Sequence, residues 1–150
     1  MLNRFSLDGR VIVITGGAGL LGTKHAEAVL EAGGIPVLLD INQVVLDGVV
    51  SQLESHYGGK ALGLVCNITD KSAIEACLVT ILHKLGRLDA LVNNAANDPK
   101  VGPGADAKRL TRFENMSQDY WDGDVAVGLT GAFLCAQVFG YHLATHGGGV

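Results

Sequence analysis

The feature that most constrains the fold of this chain is a glycine-rich turn between an apolar run and an amphipathic segment. Residues 11–14 are Val-Ile-Val-Ile, and residues 15–22 read Thr-Gly-Gly-Ala-Gly-Leu-Leu-Gly. A strand that leads through such a turn into a helix directs free backbone N–H groups and the positive end of the helix dipole at one point. This arrangement is typical of pyrophosphate sites, so the turn predicts a dinucleotide-binding fold.

The following residues repeat this alternation of apolar runs and amphipathic segments. Strands are predicted at residues 11–15, 35–40, 61–66 and 88–92, with helices between them. Continuously apolar strands with short connections predict a doubly wound parallel α/β sheet of the Rossmann type, with strand order 3-2-1-4. The face that the first helix turns to the core is expected to hold Leu21, His25, Ala28, Val29 and Ala32.

The last third of the chain departs from this alternation of strands and helices. Residues 97–116 are polar and contain proline and glycine, which predicts either a lid over an anionic substrate or a solvated loop. Ser117 is expected to cap a final helix that runs to about Thr145. Residues 147–150 predict a turn into a fifth strand, so the sheet is expected to be truncated before or at strand five.

Composition and charge exclude several classes of protein. A formal net charge of −4 offers no basic surface for nucleic acid. The cysteines, Cys66, Cys77 and Cys135, are odd in number and lie in apolar runs, which predicts buried free thiols in a reducing compartment. No basic segment precedes an apolar stretch at the start, and the five histidines lack metal-ligand spacing. We therefore predict a cytoplasmic protein without a metal site.

Three further motifs agree with the glycine turn. Asp40 ends the second predicted strand, residues 67–70 (Asn-Ile-Thr-Asp) follow the third, and residues 93–96 (Asn-Asn-Ala-Ala) follow the fourth. With these motifs the chain resembles the N-terminal part of the short-chain dehydrogenase/reductase superfamily, and more loosely its flagellin- or surface-glycan-modifying members. The resemblance implies that residues 1–150 form the NAD-binding Rossmann part, with the catalytic C-terminal part outside this chain.

The resemblance assigns a role to each motif. Gly16, Gly19 and Gly22 let the backbone turn tightly, approach the pyrophosphate and pack the helix on the sheet. Asp40 accepts hydrogen bonds from the ribose of NAD and repels the 2′-phosphate of NADP, so NAD is favoured over NADP. The alternative for Asp40 is an ordinary strand-end acid that caps the next helix. The expected cofactor-binding residues are Gly16, Gly19, Leu20, Leu21, Asp40, Ile41, Asn67, Ile68, Asn94, Ala95 and Ala96.

The segments after strands three and four are expected to surround the adenosine and nicotinamide halves. Asn67 stands where many relatives carry aspartate, and its side-chain oxygen is expected to accept a hydrogen bond from the adenine amino group. Ile68 is expected to pack on the adenine ring. Residues 94–96 line the ribose and nicotinamide side, mostly through their backbone. Asn93 and Thr15 are expected to tie strand four to strand one.

Two departures from the family pattern limit what the resemblance implies about the reaction. The glycine spacing, Thr-Gly-x-x-Gly-x-x-Gly, is that of the extended branch of sugar-nucleotide epimerases and dehydratases, whereas Asn-Asn-Ala-Ala belongs with the commoner branch. Residues 127–131 (Val-Gly-Leu-Thr-Gly) place Gly128 where relatives commonly carry a proton-relay asparagine. Gly128 either leaves a gap that admits water or permits close helix packing, and both interpretations stay open.

Residues 1–150 hold no complete set of the family's catalytic residues. A serine and a Tyr-x-x-x-Lys pair move the proton in relatives, but here Tyr141 is followed four residues later by Thr145. We predict an NAD(P)-dependent oxidoreductase that transfers hydride at a hydroxyl or carbonyl carbon of a small or sugar-like substrate. This chain alone is expected to be inactive. An NAD-retaining sugar-nucleotide epimerase or dehydratase and a non-catalytic dinucleotide-sensing domain are the alternatives.

The final predicted helix has an unusually apolar sequence. Residues 125–143 contain no charged side chain, which meets the length of a membrane span. Several glycines and polar residues dilute the run, and it follows a sheet of a water-soluble type. We therefore predict no membrane contact and a homo-oligomer that covers the helix at residues 117–145.

Overall fold

The computed structural model describes residues 5–97, 113–146 and 149–150. The described part contains strands β1 (Val11–Thr15), β2 (Ile35–Asp40), β3 (Leu62–Val65) and β4 (Ala90–Val92), and helices α1 (Leu20–Glu31), α2 (Gln43–Tyr57), α3 (Lys71–Leu85) and α4 (Gln118–Thr145). A 3-10 turn, Phe113–Asn115, precedes α4. The strands are parallel in the order β3-β2-β1-β4, which confirms the predicted doubly wound sheet.

Each face of the sheet carries its own hydrophobic core, because side chains alternate between faces along a strand. Val11 and Val13 of β1 pack with α3 and α4, while Ile12 and Ile14 pack with α1 and α2. All five residues of β1 are buried, as expected of a central strand covered on both faces. Because β1 is packed on both faces, the position at which it ends and the glycine turn begins is fixed relative to the rest of the sheet.

Helix α1 presents a different face to the core from the one expected. Its buried residues are Gly22, Ala26 and Val29, whereas Leu21, expected on the buried face, is 64% exposed. Small residues lie inside because the helix begins directly against the turn. A Cβ at position 22 would overlap the carbonyl oxygen of Gly16. The expected inward placement of His25 and Ala28 is wrong for the same reason, since both are exposed.

The buried residues of helix α4 are Val138 and a set at every fourth position, namely Gly131, Cys135, Phe139 and Leu143. In a regular α-helix of 3.6 residues per turn, a four-residue repeat drifts by about 40° at each step. Two π-helical segments, Ala126–Gly131 and Ala136–Gly140, widen the turn and keep the repeat on the side facing the sheet. Ser117 caps the helix as expected by accepting a hydrogen bond from the N–H of Tyr120.

Half of the residues of α4 are nevertheless exposed. Within the described residues it is the one helix long and apolar enough to cross a membrane by length and composition, and 22% of its most apolar window is buried. A single such helix is weak evidence for a membrane span, because core helices pass the same test.

The far edge of β4 is paired with the end of the chain. The N–H of Leu91 donates to the carbonyl of Val150, and the N–H of Val150 donates to the carbonyl of Asp89. Val150 therefore lies where the sequence predicts the fifth strand to begin, although residues 147–148 are outside the described part.

The Asp89 carboxylate joins β1 and β4 at the N-terminal ends of these strands. It accepts hydrogen bonds from the N–H of Val11 and from the guanidinium groups of Arg10 and Arg87. Burial raises the pKa of Asp89, but these three donors outweigh it and hold the pKa well below its usual range. The carboxylate therefore links β1 and β4 at the end remote from the glycine turn.

Candidate functional site

The glycine turn is held between the carboxyl ends of β2 and β4. Gly16 has a φ of +61°, and a Cβ there would lie 3.0 Å from the Cα of Ala95. Gly17 donates its N–H to the carbonyl of Leu39, and a Cβ at Gly17 would lie 2.6 Å from the Cβ of Leu38. The turn therefore fits only because both residues lack side chains. The role of Gly17 was missed in the sequence, since it depends on a neighbouring strand and not on the spacing of the motif.

The hydroxyl of Thr15 joins the turn to the segment after β4. Its Oγ1 accepts hydrogen bonds from the N–H groups of Asn94 and Ala95, both at 3.0 Å, and Thr15 is 1% exposed. The side chain of Asn94 completes the link by donating to the carbonyl oxygens of Thr15 and Gly16 at 2.9 and 3.3 Å. The turn and the start of residues 94–96 therefore form one hydrogen-bonded unit.

The expectation that Asn93 and Thr15 tie strand four to strand one is confirmed for Thr15 and wrong for Asn93. Asn93 donates instead to the carbonyl of Ala132 in α4, at 3.3 Å. Consecutive side chains leaving a strand point to opposite faces, so of the two asparagines only Asn94 faces Thr15. A second amide missed in the sequence, that of Asn97, donates to the carbonyl of Gly123 at 3.1 Å. Asn93 and Asn97 thus fix α4 against the end of β4.

A Thr15→Val variant is expected to lower the free energy of unfolding by about 2–4 kcal/mol, because it leaves two partly buried N–H groups, those of Asn94 and Ala95, without their acceptor. Urea unfolding of the variant measures this loss. Thr80→Val is the matched control, since among the described residues the Thr80 hydroxyl bonds only the carbonyl of Ala76 in its own helix. Equal losses in the two variants would contradict the role given to Thr15.

Asp40 lies beside the turn at the end of β2. Its Oδ2 accepts the N–H of Ala18 and its Oδ1 accepts the N–H of Asn42, both at 3.2 Å. The cap of α2 is Asn42, whose side chain accepts the N–H of Val45, so Asp40 does not cap that helix itself. The carboxylate is half-buried and uses two of about four acceptor positions, which leaves the others for a ligand. Ile41, next in the chain, is 72% exposed at the same edge.

The start of α1 has the properties of an anion site. Side chains cap α2, α3 and α4, whereas Gly19 caps α1 without any side-chain hydrogen bond. The first N–H groups of a helix have no partner within the helix, so those of Leu20 and Leu21 are available to a phosphate. Both side chains are largely exposed. A Cβ at Gly19 would come within 3.2 Å of the carbonyl oxygen of Gly16, so the missing side chain lets the start of α1 lie close to the turn.

The Asn67 and Ile68 side chains, which follow β3, both contact other residues of this chain, and their expected contacts with adenine stay predictions. The Oδ1 of Asn67 accepts hydrogen bonds from the N–H and the hydroxyl of Thr69, at 3.0 and 2.8 Å. Ile68 is 6% exposed, and its side chain packs so closely under Gly131 that a Cβ there would lie 2.7 Å from Ile68 Cδ1. An adenine contact by the Ile68 side chain stays a prediction, and the packing observed leaves little of that side chain to meet a ring.

Gly128 lies in the first π-helical segment of α4. It is exposed, and a Cβ there would meet nothing within 4 Å among the described residues. Close packing against the described residues is therefore not the reason for a glycine at this position. Of the predicted loop at residues 97–116, residues 98–112 lie outside the described part. Within the described residues no group of three or more His, Cys, Asp or Glu side chains is placed to hold a metal ion.

The sheet order, the turn and the uncapped helix together define a Rossmann-type α/β domain with a site at the carboxyl ends of its strands. The model of the family described as short chain dehydrogenase matches residues 10–150, and the chain belongs to this family. The family binds nicotinamide cofactors. The looser resemblance to flagellin- and surface-glycan-modifying members stays a prediction.

Individual relatives agree with this assignment. The chain is 30% identical over 145 residues to D-threitol dehydrogenase of Mycolicibacterium smegmatis, covering 97% of this chain and 52% of the relative. It is 32% identical to the NAD-dependent glycerol dehydrogenase of Listeria innocua, with the same coverage of both. The NADPH-dependent 3-quinuclidinone reductase of Rhodotorula rubra has a similar structure, with a TM-score of 0.76 at 26% identity over 97% of this chain and 51% of that one. The chain spans about half the length of the curated relatives it matches.

Proposed function

We propose that these residues are the NAD-binding part of an oxidoreductase that transfers hydride between nicotinamide and a hydroxyl or carbonyl carbon of a small polyol or sugar-like substrate. The observation that carries the proposal is the meeting of the glycine turn, Asp40 and the segment after β4 at one edge of the sheet. The relatives named for threitol and glycerol support the substrate class. Bound nicotinamide supplies the hydride acceptor or donor.

Each group at this edge has a separate task in the proposal. The N–H groups of Leu20 and Leu21 hold the pyrophosphate, and Asp40 with Ile41 receives the adenosine ribose. Asn67 and Ile68 lie on the adenine side, and residues 94–96 receive the nicotinamide side through their backbone. Preference for NAD over NADP follows from the negative charge of Asp40, to which the 2′-phosphate would lie close.

The 150-residue chain is expected to bind NAD and to catalyse no reaction. Its described tyrosines, Tyr57, Tyr120 and Tyr141, have no lysine four residues later, so no side chain here completes the family's proton transfer. Calorimetric titration with NAD should give saturable binding. Absorbance at 340 nm should stay constant with a panel of polyols, each supplied with NAD. A polyol-dependent rise in that absorbance would contradict the assignment of the catalytic residues to a part beyond residues 1–150.

The glycine spacing favours one further candidate, an NAD-retaining sugar-nucleotide epimerase or dehydratase. Such an enzyme regenerates its cofactor within each turnover, whereas a dehydrogenase releases NADH. Measured on a protein that also carries the Tyr-x-x-x-Lys pair, net formation of NADH with a polyol would favour the dehydrogenase. NAD binding without any turnover there would favour a sensing domain.

The proposal includes a cytoplasmic homo-oligomer that covers α4. The outward face of this helix carries Leu129, Phe133 and Tyr141, which are 59–71% exposed. Residues at 128, 132, 136, 140 and 144 are all glycine or alanine, so a second helix can approach closely along this side. Large exposed apolar surfaces of this kind mark protein interfaces in water-soluble proteins.

Phe133→Asp is expected to shift the protein to monomers, because a carboxylate cannot be buried unpaired in an apolar interface. Sedimentation without detergent measures the mass of the wild type and the variant. Val79→Asp is the matched control, since Val79 is also apolar and 68% exposed but lies on a different helix, α3. A wild-type protein that sediments as a stable monomer would argue against the interface.

A further inference from the structure

The side chain of Asn67 is exposed just beyond the carboxyl end of β3, one strand away from Asp40. Val65 of β3 pairs with Asp40 of β2, and the N–H of Cys66 donates to the carbonyl of Asp40 at 2.9 Å. Neighbouring strands lie about 4.8 Å apart, and a purine is bonded directly to its ribose. A nucleotide whose ribose meets Asp40 therefore places its purine beside Asn67.

Both acceptor positions of the Asn67 side chain are already used within the chain. Its Oδ1 accepts a hydrogen bond from the N–H of Thr69 at 3.0 Å and another from the hydroxyl of Thr69 at 2.8 Å. An amide oxygen has two lone pairs, and these two donors take both of them. A further donor, such as the amino group of adenine, would meet an oxygen without a free lone pair.

The main chain fixes the orientation of this amide. A backbone N–H can only donate, so the side-chain atom that faces the N–H of Thr69 must be the oxygen and not the nitrogen. The Nδ2 group lies on the other side of the planar amide, and among the described residues it has no acceptor. Because Asn67 is exposed, the side chain presents a ligand with a donor and with no acceptor.

We propose that Asn67 sets the base preference of the dinucleotide site and selects a purine with an oxygen at C6 over adenine. Hypoxanthine has a carbonyl oxygen at C6, which accepts a hydrogen bond from Nδ2. Adenine has an amino group there, which is itself a donor. Two donors that face each other give up their hydrogen bonds to water and form none in return. The inference rests on the proposed dinucleotide binding and adds the class of purine to it.

A carboxylate at position 67 is expected to reverse this preference. An ionised carboxylate has two oxygen atoms and no donor. One oxygen keeps both hydrogen bonds from Thr69, and the second takes the place of Nδ2 beside the purine. That second oxygen accepts from the amino group of adenine and repels the carbonyl oxygen of hypoxanthine. Asn67→Asp therefore changes the group that meets the base and retains the turn before α3.

The test compares calorimetric titrations of the chain with NAD and with nicotinamide hypoxanthine dinucleotide, which differ only in the purine. We expect the wild type to bind the hypoxanthine dinucleotide about threefold more tightly than NAD, and Asn67→Asp to bind NAD more tightly. The ratio of the two dissociation constants should change about tenfold between the two proteins. The added charge repels the pyrophosphate of both dinucleotides alike, so the ratio isolates the contact with the base.

Asn42→Asp is the matched control. Asn42 lies at the same edge of the sheet and caps α2 by accepting the N–H of Val45, a role that aspartate fills equally well. This variant adds the same negative charge and leaves the amide of Asn67 in place. Its ratio of dissociation constants should therefore equal that of the wild type.

The outcomes separate the base preference from the proposed function. Wild-type binding of NAD as tight as, or tighter than, that of the hypoxanthine dinucleotide would overturn the inference. A ratio that Asn67→Asp leaves unchanged, or shifts no more than Asn42→Asp does, would also overturn it and leave Asn67 as a residue of the turn. In both cases the proposed function stands. A wild type that binds neither dinucleotide would refute the proposed function and the base preference together.

Discussion

A Gly22→Ala variant is expected to lose measurable NAD binding and to unfold with a free energy lower by about 3–5 kcal/mol. A Cβ at this position would overlap the carbonyl oxygen of Gly16 and lie 2.8 Å from the Cα of Gly17. Both neighbours are main-chain atoms, so no side-chain rotation relieves the overlap. The start of α1 must move away from the turn, and the N–H groups of Leu20 and Leu21 move with it.

Gly48→Ala is the matched control, because it adds the same methyl group to a helix where nothing lies within 4 Å. Alanine is a better helix former than glycine, so this control should gain about 0.5–1 kcal/mol of stability. Urea unfolding and NAD titration of both variants make the comparison. If Gly22→Ala bound NAD with wild-type affinity, the close contact of α1 with the turn would not be what shapes the site.

The sequence predicts the strand order and the position of the turn because both follow from local patterns and from the shortness of the connections. Apolar runs separated by amphipathic segments require a covered parallel sheet, and the short crossovers leave few orders of strands. The cap at Ser117 was predictable for the same reason, since the capping residue and the N–H it bonds are three residues apart. Each of these features is settled within a few residues of chain.

Contacts between elements were harder to predict. Gly17 matters because Leu38 of a different strand lies against it, and the spacing of the glycine motif contains no trace of that contact. Asn93 and Asn94 are chemically identical, and only the pleat of β4 decides which of them faces Thr15. A shift of β4 by one residue would exchange the two asparagines, and a sequence motif does not fix this register.

The buried face of a helix is also hard to predict, because it depends on the residue at which the helical repeat starts. The sequence predicts the buried face of α1 about one residue out of step, because a large apolar residue at its start, Leu21, suggests a core position. Leu21 is instead exposed beside the proposed pyrophosphate position, and Gly22 takes the inner place. In α4 two π-helical segments widen the turn locally, which a period of 3.6 residues does not predict.

Asp40→Asn is expected to reduce the preference of the chain for NAD over NADP. For the wild type we expect NAD to bind at least tenfold tighter, which corresponds to about 1.4 kcal/mol. Hydrogen bonds to a charged acceptor contribute about 1.5–3 kcal/mol, so the variant should bind NAD about tenfold more weakly. Its affinity for NADP should change little or rise, because the repulsion of the 2′-phosphate is removed. The ratio of the two affinities should therefore fall to within about threefold of unity.

This ratio separates recognition from a general loss of structure. Asp40 also accepts the N–H groups of Ala18 and Asn42, so the amide variant weakens contacts that shape the turn. Damage to the turn lowers the affinities for NAD and NADP together and leaves their ratio unchanged, whereas loss of the carboxylate charge changes the ratio. Asp47→Asn on α2 is the matched control, because Asp47 is exposed and hydrogen-bonds Gln43 alone among the described side chains. Equal wild-type affinities for NAD and NADP would show that Asp40 is only a strand-end acid holding two backbone N–H groups.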